Sequence, residues 1–362
     1  MAVDGGPELV QLLTPEGERV EHPNYALDPT PDQVRGWYRD LVLVRRFDTE
    51  ATALQRQGEL GLWASLLGQE ATQIGSGRAL APGDFVFPTF REHGVGWCRD
   101  IDPLQVLGLF RGTTNGGWNP LEHNMALYTI VIGDQVPHAV GYAMGLTFDG
   151  ASDACVVYFG DGATSQGDVN EGFIWGSVFN APVVFFCTNN QWAISEPSER
   201  QTRIPLYRRA AGFGFPGIRV DGNDIFAVYA VTQAALAAAR EGQGPTLIES
   251  FTYRMGAHTT SDDPTRYRSG AELEIWKHRD PIERVKSYLA RNGHADSRWF
   301  AAVEAEGDEL AERLRTGCRA LEAPAATAMF DNIYATPHPR ITEQREQLVD
   351  YLASFVTPAG SR

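Results

Sequence analysis

Residues 155–195 read CVVYFGDGATSQGDVNEGFIWGSVFNAPVVFFCTNNQWAIS. A β-branched and aromatic run breaks at Gly160-Asp161-Gly162, passes into a helical pattern, and returns as a second apolar run over residues 183–187 that ends on Asn189-Asn190. A strand, a helix and a strand running the same way form a right-handed parallel unit. Residues 160–163 and 188–192 therefore fall at strand carboxyl ends, the edge where open α/β sheets bind ligands. Asp161 offers a hard anionic oxygen, and Asn190, 29 positions later, a neutral amide oxygen. That pair suits Mg²⁺, which takes oxygen ligands and keeps sites for water or phosphate. Gly162, Ala163 and the residues after them are expected to open a helix, turning free N–H groups and the positive end of its dipole toward phosphate oxygens. Taken singly, GDG reads equally as a tight turn and NN as a helix cap. Their joint placement after two apolar runs points instead to a diphosphate held through a divalent ion.

At 362 residues the chain has length for one large or two ordinary cores. With 43% apolar and 21% charged residues the chain reads as globular. A net charge of −15 argues against nucleic acid as a partner, because the phosphate backbone selects basic faces. No apolar run approaches the ~20 residues of a membrane span. The acidic start, MAVDGGPELVQ, carries no hydrophobic signal segment, so a cytoplasmic location is expected. Cys98, Cys155, Cys187 and Cys318 are scattered without a CxxC pair and read as reduced core residues.

Residues 1–29 lack periodicity and are expected to form an extended arm over a neighbour, or to be loosely ordered. Thr30, followed by Pro31 and Gln33, reads as the cap of a helix that carries Val34, Trp37, Tyr38, Leu41 and Val42 to a stop near Gly58. Further helical patterns cover residues 69–80 and 103–110, and a helix with small residues at Ala139, Gly141, Ala143 and Gly145 follows Pro137. A strand at residues 218–220 leads to a helix capped by Asp224, and another strand covers residues 246–253. The alternation predicts an α/β fold, a mostly parallel sheet with helices on both faces. It spans residues 30–325, and residues 326–362 form a C-terminal helical tail.

GDG followed by NN is similar to the thiamine diphosphate motif. The wider text, GDGATSQGD through NNQWAIS, resembles the alpha subunit of the decarboxylating first component of 2-oxo acid dehydrogenase complexes, over nearly the whole chain from about Arg35 to Tyr351. The resemblance implies thiamine diphosphate and Mg²⁺ as cofactors, with Asp161, Asn190 and Trp192 as metal ligands and Gly162 and Ala163 beside the diphosphate. The family's pattern of an aromatic, an Arg and a nearby Gly is matched at Phe90, Arg91 and Gly94. Its Arg grips the diphosphate, a task for which a guanidinium fork is suited. Read alone, Arg91 would be a surface ion pair. Phe90 stands where Tyr is common and lacks its hydroxyl. Ile130 and Ile132 fall where relatives contact the cofactor, and Ile132 matches the apolar wedge beneath its bent form.

The pattern YRxxxHxxxDD…YR over residues 253–268 resembles the family's active-site loop, which gives His258 a phosphate contact and a proton-transfer role near neutral pH. His93 matches a histidine of pyruvate-type relatives and is a second catalytic candidate, or else an ordinary helix-surface histidine. Thr188 replaces an Arg of the branched-chain pattern in animals, and Arg203 is a candidate substitute for that phosphate contact.

The activity implied is oxidative decarboxylation of a 2-oxo acid with acyl transfer to a lipoyl group. The implied partners are a beta subunit, completing an α₂β₂ heterotetramer, and a lipoylated acyltransferase. No residue here matches the glutamate that activates the cofactor in relatives, which lies on the beta subunit. HTTSDDPTRYRS and VDGNDIFAVYA look closer to the branched-chain type, and Ala64 stands where pyruvate-type relatives carry a histidine. His93 favours the alternative, a pyruvate or acetoin dehydrogenase, and an aldehyde-releasing thiamine enzyme also remains open. A nucleotide-binding regulatory or scaffold subunit shares the architecture, but the chain has neither GxxxxGK[ST] nor a strand-linked GxGxxG.

Overall fold

The two apolar runs around the GDG and NN turns are adjacent parallel strands at the centre of a six-stranded sheet. The computed structural model describes residues 9–355. Its strands are β1 (Leu9–Val10), β2 (Phe85–Phe87), β3 (Cys155–Gly160), β4 (Val183–Asn189), β5 (Trp192–Ala193), β6 (Glu196–Pro197), β7 (Gly217–Asp221) and β8 (Thr246–Phe251). The main sheet runs β1-β7-β8-β4-β3-β2, all parallel, while β5 and β6 pair as a separate antiparallel ribbon. The helices before the ribbon are α1 (Pro31–Arg56), α2 (Glu70–Arg78), α3 (His93–Cys98), α4 (Pro103–Arg111), α5 (Pro120–His123), α6 (Gln135–Phe148) and α7 (Gly167–Val178). After it come α8 (Ser198–Gln201), α9 (Arg209–Phe213), α10 (Ile225–Arg240), α11 (Gly270–Lys277), α12 (Pro281–Arg291), α13 (Ser297–Ala320) and α14 (Pro339–Ala353).

Alternation along the central strands divides the core. Side chains of successive residues point to opposite faces of a sheet. Cys155, Val157, Phe159, Val183, Phe185 and Cys187 accordingly join one cluster with residues of α6 and α7. Val156, Tyr158, Val184 and Phe186 join the other, with residues of α1, α2 and α10. Both faces are covered, which is why these strands read as unbroken apolar runs rather than alternating ones. No helix among the described residues is long and apolar enough to cross a membrane.

The cap residues behave as their chemistry predicts. Thr30 Oγ1 accepts from the Gln33 N–H at 3.2 Å, with Pro31 at the first position of α1, and Gly58 lies just past the end at φ +81°. Asp224 caps α10 by accepting from Phe226 and Ala227 through Oδ1, and its Oδ2 accepts from the Leu12 and Leu13 N–H groups at 2.7 Å each.

That second pair of bonds bears on the expected N-terminal arm. Leu9 and Val10 pair with Arg219 and Val220 as an edge strand, and Val10, Leu12 and Leu13 are buried in this chain's own core. A two-residue strand is too short to show a period, and what holds the segment is Asp224, far away in sequence. Residues 1–8 lie outside the described part. A second difference lies after GDG. Residues Asp161–Ser165 make a 3₁₀ turn, Gln166 is extended, and only then does α7 begin, so Gly162 and Ala163 belong to a short separate turn. At the other end, α14 has no buried residue, and residues 356–362 of the expected tail lie outside the described part.

Candidate active site

β2, β3, β4 and β8 are neighbours and parallel, so their carboxyl ends open on one edge. The chain leaving β2 carries Arg91, that leaving β3 Asp161, that leaving β4 Asn190, and that leaving β8 Arg254. All four line one cavity of about 300 Å³. Phe90, Ile132, Gly162, Ala163, Trp192 and His258 complete the candidates that line it.

Asp161 and Asn190 bring to the cavity the oxygen donors that could hold a hard cation. Asp161 is buried, and its Oδ2 accepts from Ser198 Oγ at 3.0 Å and Gln201 Nε2 at 3.2 Å, both on α8. Burial pushes its carboxyl up to about 6, against the pull of the Ser198 bond and of Arg254. Pairing of Gly160 with Thr188 brings the β4 end alongside. The Asn190 side chain donates to Gln69 Oε1 at 3.1 Å and accepts from the Trp192 N–H at 3.3 Å. The Trp192 carbonyl, the expected third ligand, already accepts from Arg254 Nη1 at 2.6 Å, so a metal there would share that oxygen with a guanidinium. Among the described residues no group of three or more His, Cys, Asp or Glu side chains is placed to hold a metal. A cation placed here would have Asp161 as its anionic ligand and would take the rest of an octahedron from neutral oxygens, water and the ligand itself. Gly162 is required here by contact, since a Cβ on it would lie 2.7 Å from Ala193 Cβ in the β5–β6 ribbon.

The same cavity carries two buried cations. Arg91 is buried, donates through Nη1 to the Ser65 carbonyl, and through Nη2 to the His258 carbonyl at 2.7 Å. Arg254 is buried and donates to the carbonyls of Trp192 and Ile194 at 2.6 and 2.9 Å. Neither guanidinium has a carboxylate within ion-pair distance among the described residues. Burial, then repulsion from Arg254, brings Arg91 down to about 9, still protonated at neutral pH. Buried charges are expensive unless paired. Four buried polar atoms on cavity-lining residues also lack a hydrogen-bond partner: Gln69 Nε2, Gln135 Oε1, Thr188 Oγ1 and Arg254 Nε. Gln69 Nε2, Thr188 Oγ1 and Arg254 Nε are donors, which a polyanion with many acceptor oxygens fits, whereas Gln135 Oε1 is an acceptor; the residues present suit a magnesium diphosphate.

Some sequence-based expectations change. His93 does not line the cavity. It is buried, with Nδ1 2.7 Å from Tyr128 Oη, Nε2 2.9 Å from the Ala64 carbonyl and its ring stacked on Trp63, so both nitrogens are committed. Burial lowers its pKa to about 3, which removes it as a proton carrier near neutral pH. Ile130 is 65% exposed and outside the cavity, whereas Ile132, 47% exposed, lines its mouth. Arg203 lines a separate pocket with Thr202 and Ile204 and offers the main cavity nothing. The second cation is Arg254, whose position in the 253–268 pattern was visible but whose burial was not. His258 sits against Phe90, ring centroids 6.0 Å apart, and 3.4 Å from Arg91 Nη2. Desolvation, then Arg91 and Arg254, lowers it to about 3, below the range its residue type suggests.

Residues 38–313 match the family model described as dehydrogenase E1 component. The chain belongs to that family. It is 44% identical to the 3-methyl-2-oxobutanoate dehydrogenase subunit alpha of Mycobacterium tuberculosis (strain ATCC 25618 / H37Rv) over 98% of this chain and 96% of the relative. It is also 38% identical to the mitochondrial 2-oxoisovalerate dehydrogenase subunit alpha 2 of Arabidopsis thaliana, over 85% and 67%. The pyruvate dehydrogenase E1 component subunit alpha of Staphylococcus epidermidis (strain ATCC 12228 / FDA PCI 1200) is 36% identical over 94% and 92%. For an E1 component chain, the cavity at the joint edge of four strands is the candidate active site.

Proposed function

We infer that this E1 chain is the alpha subunit of a 2-oxo acid dehydrogenase acting on branched-chain 2-oxo acids, with thiamine diphosphate and Mg²⁺ in the cavity. The observation that carries the reading is the pair of buried, acid-free guanidiniums, Arg91 and Arg254, lining one cavity together with Asp161 and Asn190. Thiamine diphosphate, when bound, would supply the carbanion chemistry that decarboxylation of a 2-oxo acid needs. The chain's own residues bind and orient: Asp161 and Asn190 hold the metal, Arg91 and Arg254 the diphosphate oxygens, and Ile132 offers a branched surface at the mouth. His258, neutral between two cations, accepts or donates a hydrogen bond at the diphosphate side, and its basicity rises once an anion lies beside those guanidiniums.

A beta subunit is proposed to close the site in an α₂β₂ assembly, and a lipoylated acyltransferase to take the acyl group. In support, α6 and α7 present Tyr142, Phe148, Ile174, Trp175 and Val178 at the surface, with Phe179 just past the end of α7. Substrate choice rests on the greater similarity to the branched-chain relatives. It is tested by decarboxylation of 3-methyl-2-oxobutanoate and pyruvate, side by side, with the chain and its beta subunit reconstituted. A preference for the branched acid is expected, and faster turnover of pyruvate overturns the assignment. Full turnover by the alpha chain alone would refute the two-subunit site.

A further inference from the structure

Asp48 is a buried acid that the proposed chemistry leaves unused. It lies on α1, 3% exposed, and makes no ion pair among the described residues. Its hydrogen bonds go to a single turn: Oδ1 accepts from Trp63 Nε1 at 2.8 Å and from the Leu66 N–H at 3.0 Å, and Oδ2 accepts from Ser65 Oγ at 2.6 Å. Ordinary packing does not call for a carboxylate here, since a buried charge without a counter-ion is costly.

What that turn holds explains the acid. The Ser65 carbonyl accepts from Arg91 Nη1. Trp63 and Thr260 exchange two bonds, Thr260 N–H to the Trp63 carbonyl at 2.9 Å and Trp63 N–H to Thr260 Oγ1 at 3.0 Å. The Leu67 carbonyl accepts from the Met255 N–H at 3.0 Å. One turn therefore fastens Arg91 and both ends of the loop bearing His258. A direct Asp–Arg pair would cancel the charge of Arg91 and compete with an anionic ligand. Placing the Ser65 peptide between them aims the guanidinium, leaves its outward face to the ligand, and keeps a negative charge behind it.

We propose that Asp48 is a positioning residue for diphosphate binding, fixing Arg91 through Ser65 and the His258 loop through Trp63 and Thr260. The role rests on the thiamine diphosphate reading above. Its test is a double-mutant cycle on the chain assembled with its beta subunit, titrating thiamine diphosphate with Mg²⁺ and following both the dissociation constant and kcat at saturating cofactor.

Asp48→Ala is expected to raise the dissociation constant about twenty-fold and, beside Arg91→Lys, to add less than about three-fold, because groups in one network are not additive. Asp48→Asn keeps the size and the Oδ1 acceptor and is expected to restore affinity to within about five-fold of wild type, with kcat at saturation little changed. Should Asp48→Ala fail to fold, the same cycle is run with Asp48→Asn, whose smaller loss must also vanish beside Arg91→Lys. Equal losses in the two backgrounds, or no loss in wild type, overturn the role. Wild-type assembly that binds no thiamine diphosphate at all overturns the cofactor reading instead.

Discussion

Arg91 and Arg254 are cations that the fold takes out of water without giving either an acid of its own. Arg254→Ala and Arg254→Lys are both expected to weaken thiamine diphosphate binding by at least about ten-fold by calorimetry, since lysine lacks the planar fork that reaches two carbonyls and a ligand together. Asp161→Asn should abolish Mg²⁺-dependent binding while leaving the apo protein folded, because the amide keeps an acceptor and drops a buried charge. The pH dependence follows from the same carboxyl, raised by burial to about 6. A proton bound more firmly in the native state than in the unfolded chain makes the apo protein's contribution from this group greatest in acid. That contribution is lost as pH rises from the unfolded value near 4 to 6. A divalent ion competes with that proton. The melting-temperature increment from thiamine diphosphate and Mg²⁺ should therefore be small at pH 5 and grow to a plateau above pH 7; an increment flat across that range would separate Asp161 from the metal. Asp161 and Asn190 were legible from sequence because both sit at the end of an apolar strand. Arg254 was not, because what makes it informative is lack of an ion-pair partner, which depends on residues from four distant segments.

Caps were readable because they act within one turn: Thr30 and Asp224 lie where side-chain chemistry alone puts them. The second duty of Asp224 was not, since Leu12 and Leu13 reach it from 211 or more positions away. Asp224→Ala strips acceptors from four N–H groups and is expected to cost about 2–4 kcal/mol in urea unfolding, more than the ~1 kcal/mol of an ordinary cap. The break at Gln166 between the 3₁₀ turn and α7 also escaped a reading by helical period, because five residues are too few to distinguish the two windings. At the ribbon, Gly162→Ala drives a methyl into Ala193, and neither is the tip of a flexible chain. A weaker hold on the metal is expected, read as a raised Mg²⁺ requirement, because the ribbon and α8 behind it carry the Ser198 and Gln201 bonds to Asp161.

For the molecule as a whole, the parallel α/β architecture followed from the order of apolar runs, while the apolar exposure on the outer faces of α6 and α7 was not visible in a period, because it depends on which faces the rest of the fold leaves open. Thiamine diphosphate with Mg²⁺ at a hundred times the dissociation constant is expected to stabilise the assembled α/β pair by about 2.7 kcal/mol, with no response to adenine nucleotides; an equal shift by ATP would favour a nucleotide-binding role. At one rim of the main sheet β2 is only three residues long, and the segment after α5 pairs with Val86 there. Long bare rims invite a foreign strand to add on through its backbone, which discriminates poorly among sequences. With so little bare rim on that side, a neighbour there is expected to lie flat against helices, where the fit of individual side chains decides who is admitted.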